Sequence, residues 1–368
     1  MKTENRTSCE LLDRDIDYIL ENTRSLWESF YKKRIFISGG TGFFGKWILK
    51  SLIRANNQYN LNIEVYLLTR NAESLEKSNS DLFNSNIIKV CNGDMNTFEF
   101  PNREIQYVIH AATETNNSYV KQEPLSLFES NINGTIRILD FANSCKTKNM
   151  LVLSSGAVYG NRFCEKMNNV SESYPGAPFP TDLNSVYGNG KRTIEILSTL
   201  YANKYGLNIK IARCFAFVGP YLPLKENYAI GNFIYDALIG KDITITGDGT
   251  PRRSYMYMSD LVIWLLNILV SGKSCYPYNV GSNYGISILD LAKTVSKVVN
   301  PHIKIKVLQK CSKQPNIEYY VPSIDRAEKE LGLKVGIDLE DAINKTAKWY
   351  FPFVNNEINS DKISHNLK

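Results

Sequence analysis

The sequence predicts an α/β protein with a doubly wound parallel sheet, a smaller C-terminal α/β part and an extra N-terminal helix. Apolar stretches of strand length alternate with amphipathic helical stretches between residues 33 and 212, which is typical of parallel sheets covered by helices on both faces. The first predicted strand runs directly into a glycine-rich turn that opens a helix. An amphipathic segment precedes that strand, so it adds a helix to the main domain. This arrangement is the Rossmann fold.

The individual elements follow from the periodicity of the apolar residues. Helical spacing predicts an N-terminal helix over 10–32, which we interpret as a packing or dimer-contact element rather than a substrate gate. Strands are predicted at 33–38, 63–68, 87–91, 107–110, 151–153 and 209–212. Helices are predicted after the glycine turn, over 125–145 and from about Val186. From about 220 the pattern loosens into short elements separated by loops.

Composition excludes several classes of protein. The 368 residues include 43% hydrophobic and 22% charged residues, which is ordinary for a globular protein, and the net charge of +6 suits an anionic small molecule rather than nucleic acid. The longest apolar run, Leu261–Val270, is too short to span a membrane and predicts a buried helix. Residues 1–6 do not resemble a signal peptide. Seven scattered cysteines without a CxxC pair favour a reducing cytoplasm, and three histidines give poor support for a metal site.

The glycine-rich turn predicts a site for the pyrophosphate of NAD(P). Its glycines have GxxGxxG spacing at Gly39, Gly42 and Gly45. Glycine tolerates the positive φ of a tight turn, leaves room for a phosphate, and precedes a helix whose N-terminal N–H groups attract anions. Thr41, Phe43 and Phe44 complete the predicted turn.

The adenosine end of the dinucleotide is predicted at the ends of the second and third strands. NAD-specific folds usually carry an acid after the second strand, whereas this chain has Thr69, Arg70 and Asn71. Arg70 could pair with a 2′-phosphate, which favours NADP(H), or only cover the adenine of NAD. Asp94, beside Met95, could accept from the adenine amino group or simply be a turn residue.

Tyr187 and Lys191 are the predicted catalytic pair. Their i, i+4 spacing on a helix places both side chains on one face. A nearby ammonium lowers the pKa of a phenol, which can then take a proton from a sugar hydroxyl while hydride leaves the same carbon. Ser155, at the end of the fifth strand, can hydrogen-bond both groups. A second YxxxK match, Tyr221–Lys225, contains Pro223 and is a poor helix.

These motifs together resemble the extended short-chain dehydrogenase/reductase family, specifically its nucleotide-sugar epimerases and dehydratases. The resemblance runs from about residue 33 to about 350. The motifs that carry it are Gly39 to Gly45, Ile109 to Ala112, Asn131 to Thr135, Ser154 to Gly160, Tyr187 to Lys191, Arg213 to Pro220, Gly247 to Gly249, Arg253 to Leu261 and Tyr278 to Gly281.

The resemblance implies roles for further residues. Tyr187, Lys191 and Ser155 would be catalytic. Ala111 and Ala112 would line the cofactor and Asn131 would support the active site. Arg253 would bind the nucleotide diphosphate, and Lys313 would stand where many members have a second phosphate-binding arginine. The family is commonly dimeric, with the helix of Tyr187 in the interface.

Departures from the family patterns bear on the reaction. Ser155-Gly156-Ala157 lacks the Asp-Glu pair of 4,6-dehydratases and the glutamate that nucleotide-sugar decarboxylases keep at position 157. The segment looks more like UDP-galactose 4-epimerase, although Ala216 stands where epimerases have an asparagine. We therefore expect a C4 epimerase, or alternatively an NADPH-dependent 4-keto-sugar reductase. A dehydratase with an acid such as Glu114 or Glu165, and a non-enzymatic NAD(P)H sensor, are weaker alternatives.

The sequence thus predicts four segments. They are an N-terminal extension at 1–32, a dinucleotide-binding domain at 33–220, a mainly substrate-binding part at 221–358 with segments returning to the first domain, and a disordered tail at 359–368. The expected cofactor is NADP or NAD. The expected partners are a nucleotide diphosphate sugar and a second copy of the chain, with no metal, nucleic acid or membrane.

Overall fold

A computed structural model of the protein describes residues 2–70, 72, 85–112, 123–160, 169–226, 228–311 and 317–366. In chain order its strands are β1 Arg34–Ser38, β2 Glu64–Thr69, β3 Ile88–Asn92, β4 Tyr107–His110, β5 Asn149–Ser155, β6 Ile209–Cys214, β7 Phe217–Val218, β8 Ile243–Ile245, β9 Arg252–Arg253, β10 Met256–Tyr257, β11 Pro277–Val280, β12 Ile286–Ser287, β13 Ile305–Val307 and β14 Tyr319–Tyr320. The described α-helices are α1 Lys2–Asn22, α2 Phe43–Tyr59, α3 Pro124–Ser144, α4 Val186–Tyr205, α5 Ala229–Leu238, α6 Met258–Ser271, α7 Ile288–Val299, α8 Asp325–Leu331 and α9 Leu339–Asn366.

The centre of the fold is a seven-stranded sheet in the order β11-β6-β5-β4-β1-β2-β3. Its strand pairs are all parallel. Ile35, Phe36 and Ile37 of the central β1 are fully buried, as expected for a strand covered on both faces. The predicted Rossmann-type sheet is confirmed, and the six predicted strands begin and end within two residues of their predicted positions, whereas the seventh was not predicted. The seventh strand, β11, comes from the C-terminal part of the chain.

The N-terminal helix differs from its prediction. α1 ends at Asn22, and residues Arg24–Phe30 form a 3₁₀ helix instead of continuing to residue 32. The Thr23 hydroxyl donates to the Ile19 carbonyl at 2.6 Å, a side-chain bond that competes with the helical backbone pattern. Asp15 of α1 accepts from Tyr257 at 2.5 Å and from Lys345 at 2.8 Å. The extension is therefore tied to β10 and α9.

The C-terminal end of the chain also differs. α9 runs through Asn366, whereas the sequence predicted a disordered tail over 359–368. That prediction is corrected for residues 359–366, because extending an existing helix costs far less than nucleating one.

The C-terminal part carries short strands beside the carboxyl edge of the main sheet. β9 lies between β12 and β14 in a small sheet. The apolar helix predicted around residues 261–270 is α6, which is buried along most of its length. Among the described residues, no helix has the length and apolar character that crossing a membrane requires.

Candidate active site

The turn between β1 and α2 is packed so tightly that two of its glycines are obligatory. Gly39 has a φ of +77°, and a Cβ there would stand 2.5 Å from the Ala112 nitrogen. A Cβ at Gly45 would stand 2.3 Å from the Gly40 Cα. The turn is therefore pressed against the end of β4 and the start of α2.

Gly42, in contrast to Gly39 and Gly45, is not crowded by its neighbours. It is the N-cap residue of α2, and a Cβ there would meet only the Gly39 carbonyl oxygen, at 3.4 Å. The helix thus starts without a capping side chain, and there is room beside Gly42. Such a start fits a pyrophosphate. Phe44 packs edge-on against Phe217 at 5.0 Å.

The ends of β2 and β3 supply the residues predicted for adenosine. Thr69 is buried at the end of β2 and Arg70 is exposed directly after it. Asp94 accepts from the backbone and side-chain nitrogens of Asn96, at 2.9 and 2.7 Å, which supports its interpretation as a turn residue. Met95 packs against Gly134 of α3. Asn71 lies outside the described residues.

The end of β4 is held in place by a buried histidine. The His110 Nδ1 lies 2.7 Å from the Ser38 hydroxyl, and its Nε2 lies 3.0 Å from the Thr135 hydroxyl. Thr135 in turn donates to the carbonyl of Asn131 at 2.7 Å. Burial, with a smaller contribution from Lys191, lowers the pKa of His110 to about 3. A neutral imidazole therefore links β1, β4 and α3 beside Ala111 and Ala112.

Ser155, Tyr187 and Lys191 come together at the carboxyl edge of the sheet. Tyr187 lies in the first turn of α4, with its phenol next to the side chain of Ser155, the last residue of β5. The Lys191 Nζ donates to the Leu153 carbonyl at 2.7 Å and lies 6.0 Å from the centre of the Tyr187 ring. Asn131 lines the same cavity as Tyr187 and Lys191. The chain thus gathers these four predicted residues in one place.

The electrostatics of the pair differ from the sequence-based expectation. Burial raises the pKa of Tyr187 to about 12, although its hydrogen bond with Ser155 acts in the opposite direction. Burial lowers the pKa of Lys191 to about 8, against the influence of Cys214 and Glu195. We expected the ammonium to lower the pKa of the phenol. The structure gives the opposite direction for the chain by itself, because loss of water on burial is the largest effect on the phenol.

A buried network behind the site was missed by the sequence analysis. Glu195, one helical turn beyond Lys191, pairs with Arg213 at 2.7 Å and accepts from Ser154 at 2.5 Å. Arg213 also donates to the Tyr159 hydroxyl at 2.9 Å. The network joins α4 to β5 and β6. The spacing of Tyr187, Lys191 and Glu195, four residues apart, was its one signal in the sequence.

The C-terminal part forms the other side of the site. It contributes Arg253 and two residues that we did not predict, Glu318 and Tyr320. Arg253 pairs with Glu318 at 2.9 Å and lies 5.5 Å from the centre of the Tyr320 ring. Tyr320 packs against Phe215 at 4.7 Å, and its hydroxyl lies beside Gly156, where a Cβ would stand 2.6 Å from it. Arg253 is thereby connected through one side chain to the backbone directly after Ser155.

Three residues considered from the sequence, Lys313, Glu114 and Glu165, lie outside the described residues. The second YxxxK match, Tyr221–Lys225, is not helical, which confirms the prediction. Tyr221 has a φ of +73° and faces Trp349, whereas Lys225 pairs with Glu357 at the surface.

Fold and site together define a Rossmann-type protein of the extended short-chain dehydrogenase/reductase kind. Its glycine turn and its Ser155, Tyr187 and Lys191 lie at the same edge of a parallel sheet. Residues 35–281 match the model of the NAD dependent epimerase/dehydratase family, and the chain belongs to that family.

Curated relatives that are similar to this chain include UDP-glucuronic acid decarboxylases of plants and animals. UDP-glucuronic acid decarboxylase 3 of Arabidopsis thaliana is 29% identical over 314 residues, which cover 84% of this chain and 86% of the relative. UDP-glucuronic acid decarboxylase 1 of Xenopus tropicalis is 26% identical, with 90% and 75% covered.

Solved structures share the fold. The UDP-glucose 4-epimerase of Thermotoga maritima has a TM-score of 0.73 at 20% identity, covering 87% of this chain and 99% of that one. The dTDP-glucose 4,6-dehydratase DesIV of Streptomyces venezuelae, solved with NAD, has a TM-score of 0.72 at 21% identity, with 86% and 96% covered.

Proposed function

We propose that this protein is a nucleotide-sugar epimerase that inverts C4 through a transient keto-sugar, with Tyr187 as the acid and base. One observation carries the proposal. Ser155, Tyr187 and Lys191 converge, and the residues after Ser155, Gly156 and Ala157, bring no carboxyl group to the reacting centre.

The residues present fit a nicotinamide dinucleotide. Gly39 and Gly45 let the turn pack closely, and the open Gly42 and the start of α2 would hold the pyrophosphate. Ala111 and Ala112 add little bulk beside the turn. When bound, the cofactor supplies a site that accepts a hydride and returns it.

The residues of the chain would handle the proton. Tyr187 would take it from the C4 hydroxyl and return it to the C4 oxygen after the keto-sugar has turned its other face toward the nicotinamide. Ser155 lies beside the phenol and would hold its oxygen in place by a hydrogen bond. Lys191 is anchored on Leu153 and keeps a positive charge beside the ring. None of these steps needs a carboxyl group as acid or base, which agrees with the presence of alanine at position 157.

The same reasoning disfavours the reactions of several relatives. Decarboxylases and 4,6-dehydratases of the family keep acidic residues after the catalytic Ser or Thr, where this chain has Gly156 and Ala157. Two described carboxylates that contact the site are already ion-paired, Glu195 with Arg213 and Glu318 with Arg253. A paired carboxylate is a poor general acid, because the cation favours its ionised form.

The substrate class follows from Arg253. Its guanidinium can bind a diphosphate through two parallel hydrogen bonds. In the structure it pairs with Glu318 and is partly exposed. A diphosphate that bound Arg253 would take the place of the Glu318 carboxylate. Nucleotide binding would therefore change the contacts of the loop that carries Glu318.

The test is to incubate the purified protein with UDP-glucose, UDP-galactose, UDP-glucuronate and dTDP-glucose and to analyse products by NMR and mass spectrometry. Inversion at C4 without net consumption of reduced cofactor supports the proposal. Stoichiometric consumption of NADPH identifies a reductase, loss of carbon dioxide a decarboxylase, and loss of water a dehydratase. The Tyr187→Phe variant is the control for contaminating activity.

The reductase remains the second candidate because of Arg70, which is exposed after β2 where NAD-specific folds carry an acid. Enzymes with net turnover must exchange their cofactor, so release of NADP(H) during turnover would favour this candidate.

The proposal includes a homodimer formed through α4. Ile196 and Leu200, one turn apart, are 56% and 58% exposed on this helix. Light scattering should give twice the chain mass, and Leu200→Glu should reduce it to that of one chain. A wild-type protein with the mass of one chain would end this part of the proposal.

A further inference from the structure

A buried side-chain amide joins three distant segments of the chain beside the site. Asn279 lies in β11, the edge strand of the main sheet, and is fully buried. Its side-chain nitrogen donates to the carbonyl oxygens of Val170, at 2.8 Å, and Ser323, at 3.0 Å. Its side-chain oxygen accepts from the Tyr159 hydroxyl at 2.7 Å. All of these partners are more than 40 residues away in the sequence.

The direction of each of these hydrogen bonds is fixed by chemistry. A carbonyl oxygen can only accept, so the amide nitrogen of Asn279 must face Val170 and Ser323. The amide oxygen then faces Tyr159, and because this oxygen also can only accept, the phenol must donate. Burial raises the pKa of Tyr159 to about 12, against the influence of Arg213. The phenol therefore keeps at neutral pH the proton that it donates.

The chain of hydrogen bonds continues from Tyr159 to α4, the helix of Tyr187. The Arg213 Nη1 donates to the Tyr159 hydroxyl at 2.9 Å. The Nε and Nη2 of the same guanidinium donate to the two carboxylate oxygens of Glu195, at 3.0 and 2.7 Å. Glu195 lies on α4, about two turns after Tyr187. A continuous series of side-chain contacts therefore leads from α4 to Asn279.

The other end of this chain holds the segment that contains β14. The Val170 N–H donates to the Val321 carbonyl at 2.9 Å, and the Val170 carbonyl accepts from the Ser323 N–H at 2.8 Å. Since Asn279 donates to the carbonyls of both Val170 and Ser323, it ties this pair of backbone segments to β11. The residues directly after β14 are therefore fixed relative to the main sheet.

The position of β14 in turn sets the position of Arg253. In the register of the two strands Tyr320 lies opposite Arg253, and the Arg252 N–H donates to the Glu318 carbonyl at 2.8 Å. The Arg253 guanidinium pairs with the Glu318 carboxylate at 2.9 Å and lies 5.5 Å from the centre of the Tyr320 ring. A shift of β14 would therefore move this guanidinium relative to α4.

We infer that Asn279 and Tyr159 are positioning residues, which hold β14 and Arg253 at a fixed place relative to α4 and thereby set the affinity for the nucleotide diphosphate. The hydrogen-bond chain stands on its own contacts, whereas the identity of the ligand rests on the proposed function. Removal of the Tyr159 hydroxyl would leave the buried amide oxygen of Asn279 without its donor, which is costly in a site without water.

The first test needs no ligand. Tyr159→Phe keeps the aromatic ring and removes the hydroxyl. Hydrogen exchange of the backbone amides, followed by mass spectrometry, should be about tenfold faster over residues 319–323 than in the wild type, the effect of one lost hydrogen bond. Exchange in α2 should not change, because none of the contacts of the chain reaches that helix. Faster exchange in both segments would indicate a general loss of stability and overturn the inference.

Tyr278→Phe is the matched control. Tyr278 is the neighbour of Asn279 in β11 and is equally buried, but its hydroxyl donates to Glu330 at 3.0 Å. This variant should exchange like the wild type over residues 319–323. In an Asn279→Leu background, Tyr159→Phe should add less than about twofold, because the chain is already interrupted. Unchanged exchange in Tyr159→Phe overturns the inference, as does an equal increase in Tyr278→Phe.

The second test compares two affinities by calorimetry. Tyr159→Phe should bind UDP or dTDP about tenfold more weakly than the wild type. Its affinity for NAD or NADPH should change less than about twofold, since the glycine turn follows β1, four strands away from β11 in the sheet. Tyr278→Phe should keep both affinities.

The two tests separate the inference from the proposed function. Locally faster exchange in Tyr159→Phe, combined with a wild type that binds neither UDP nor dTDP, would leave the hydrogen-bond chain standing and refute the proposed substrate class. Binding of a nucleotide diphosphate by the wild type, with undiminished affinity in Tyr159→Phe, would do the reverse. An equal loss of nucleotide and dinucleotide affinity in Tyr159→Phe would also overturn the inference, because positioning of β14 affects only the former.

Discussion

Acidification should destabilise this protein through His110. The side chain is 3% exposed and both ring nitrogens have hydroxyl partners. Its pKa is lowered from 6.5 to about 3, mainly by burial. The unfolded chain therefore binds a proton on this histidine below pH 6.5, and the folded protein does not until about pH 3. Between these values the unfolded state holds more protons, so stability is present above pH 6.5 and falls as the pH falls.

The magnitude follows from the size of the shift. Each pH unit below the unfolded pKa costs about 1.4 kcal/mol. At pH 5 the loss from His110 is therefore about 2 kcal/mol, and it reaches a limit of about 5 kcal/mol below pH 3. A loss of about 2 kcal/mol at pH 5 is a large fraction of the free energy of unfolding of an ordinary domain.

The assay is urea unfolding at pH 7.5 and pH 5 for the wild type, His110→Gln and His302→Gln. His302 is exposed in a turn, so it provides the matched control. His110→Gln should start less stable, because hydrogen bonds are lost, but should lose about 2 kcal/mol less than the wild type on acidification. His302→Gln should follow the wild type. Equal losses in His110→Gln and the wild type would refute the assignment.

Further predictions concern the site and its support. Tyr187→Phe should lower turnover by orders of magnitude while dinucleotide binding, measured by calorimetry, survives, since the phosphate turn is separate from the phenol. Arg70→Asp should shift binding preference toward NAD, and a wild type that already binds NAD better than NADP would contradict the 2′-phosphate interpretation. Gly39→Ala should abolish dinucleotide binding and lower the melting temperature, because its φ is +77° and its Cβ would clash with the end of β4. Glu195→Gln should cost about 3–5 kcal/mol in urea unfolding, because it leaves the charge of Arg213 buried without its partner; a loss below about 1 kcal/mol would show that the pair is exposed to solvent in solution.

The main sheet could be predicted from the sequence because its strands are buried on both faces. Ile35–Ile37 and Val108–Ile109 are continuous apolar stretches that end at the same edge, and such stretches between helices predict a parallel sheet. The small sheet of β9, β12 and β14 could not be predicted in this way. Its strands are two residues long, too short to show any periodicity.

The site was predictable where its geometry is local. Tyr187 and Lys191 share a face because four residues make about one helical turn, and the glycine turn is a contiguous motif. Tyr320 was missed because it is far from Ser155 in the sequence, and no spacing rule relates two such distant residues. The direction of the pKa shift on Tyr187 was missed because it depends on burial, which the residues around a motif do not reveal.

The contacts between β5 and α4 explain why the reacting groups are so well placed. Tyr187, Lys191 and Glu195 stand one turn apart on α4, and each meets one residue at the end of β5, namely Ser155, the Leu153 carbonyl and Ser154 respectively. A shift of the helix would break all three contacts together, so the position of the phenol relative to Ser155 is set by the strand–helix packing. All six residues in these three contacts lie within the dinucleotide-binding domain. Substrate differences between this chain and its relatives should therefore arise on the opposite wall, where Arg253, Glu318 and Tyr320 are carried by the short strands β9 and β14 and the residue before β14.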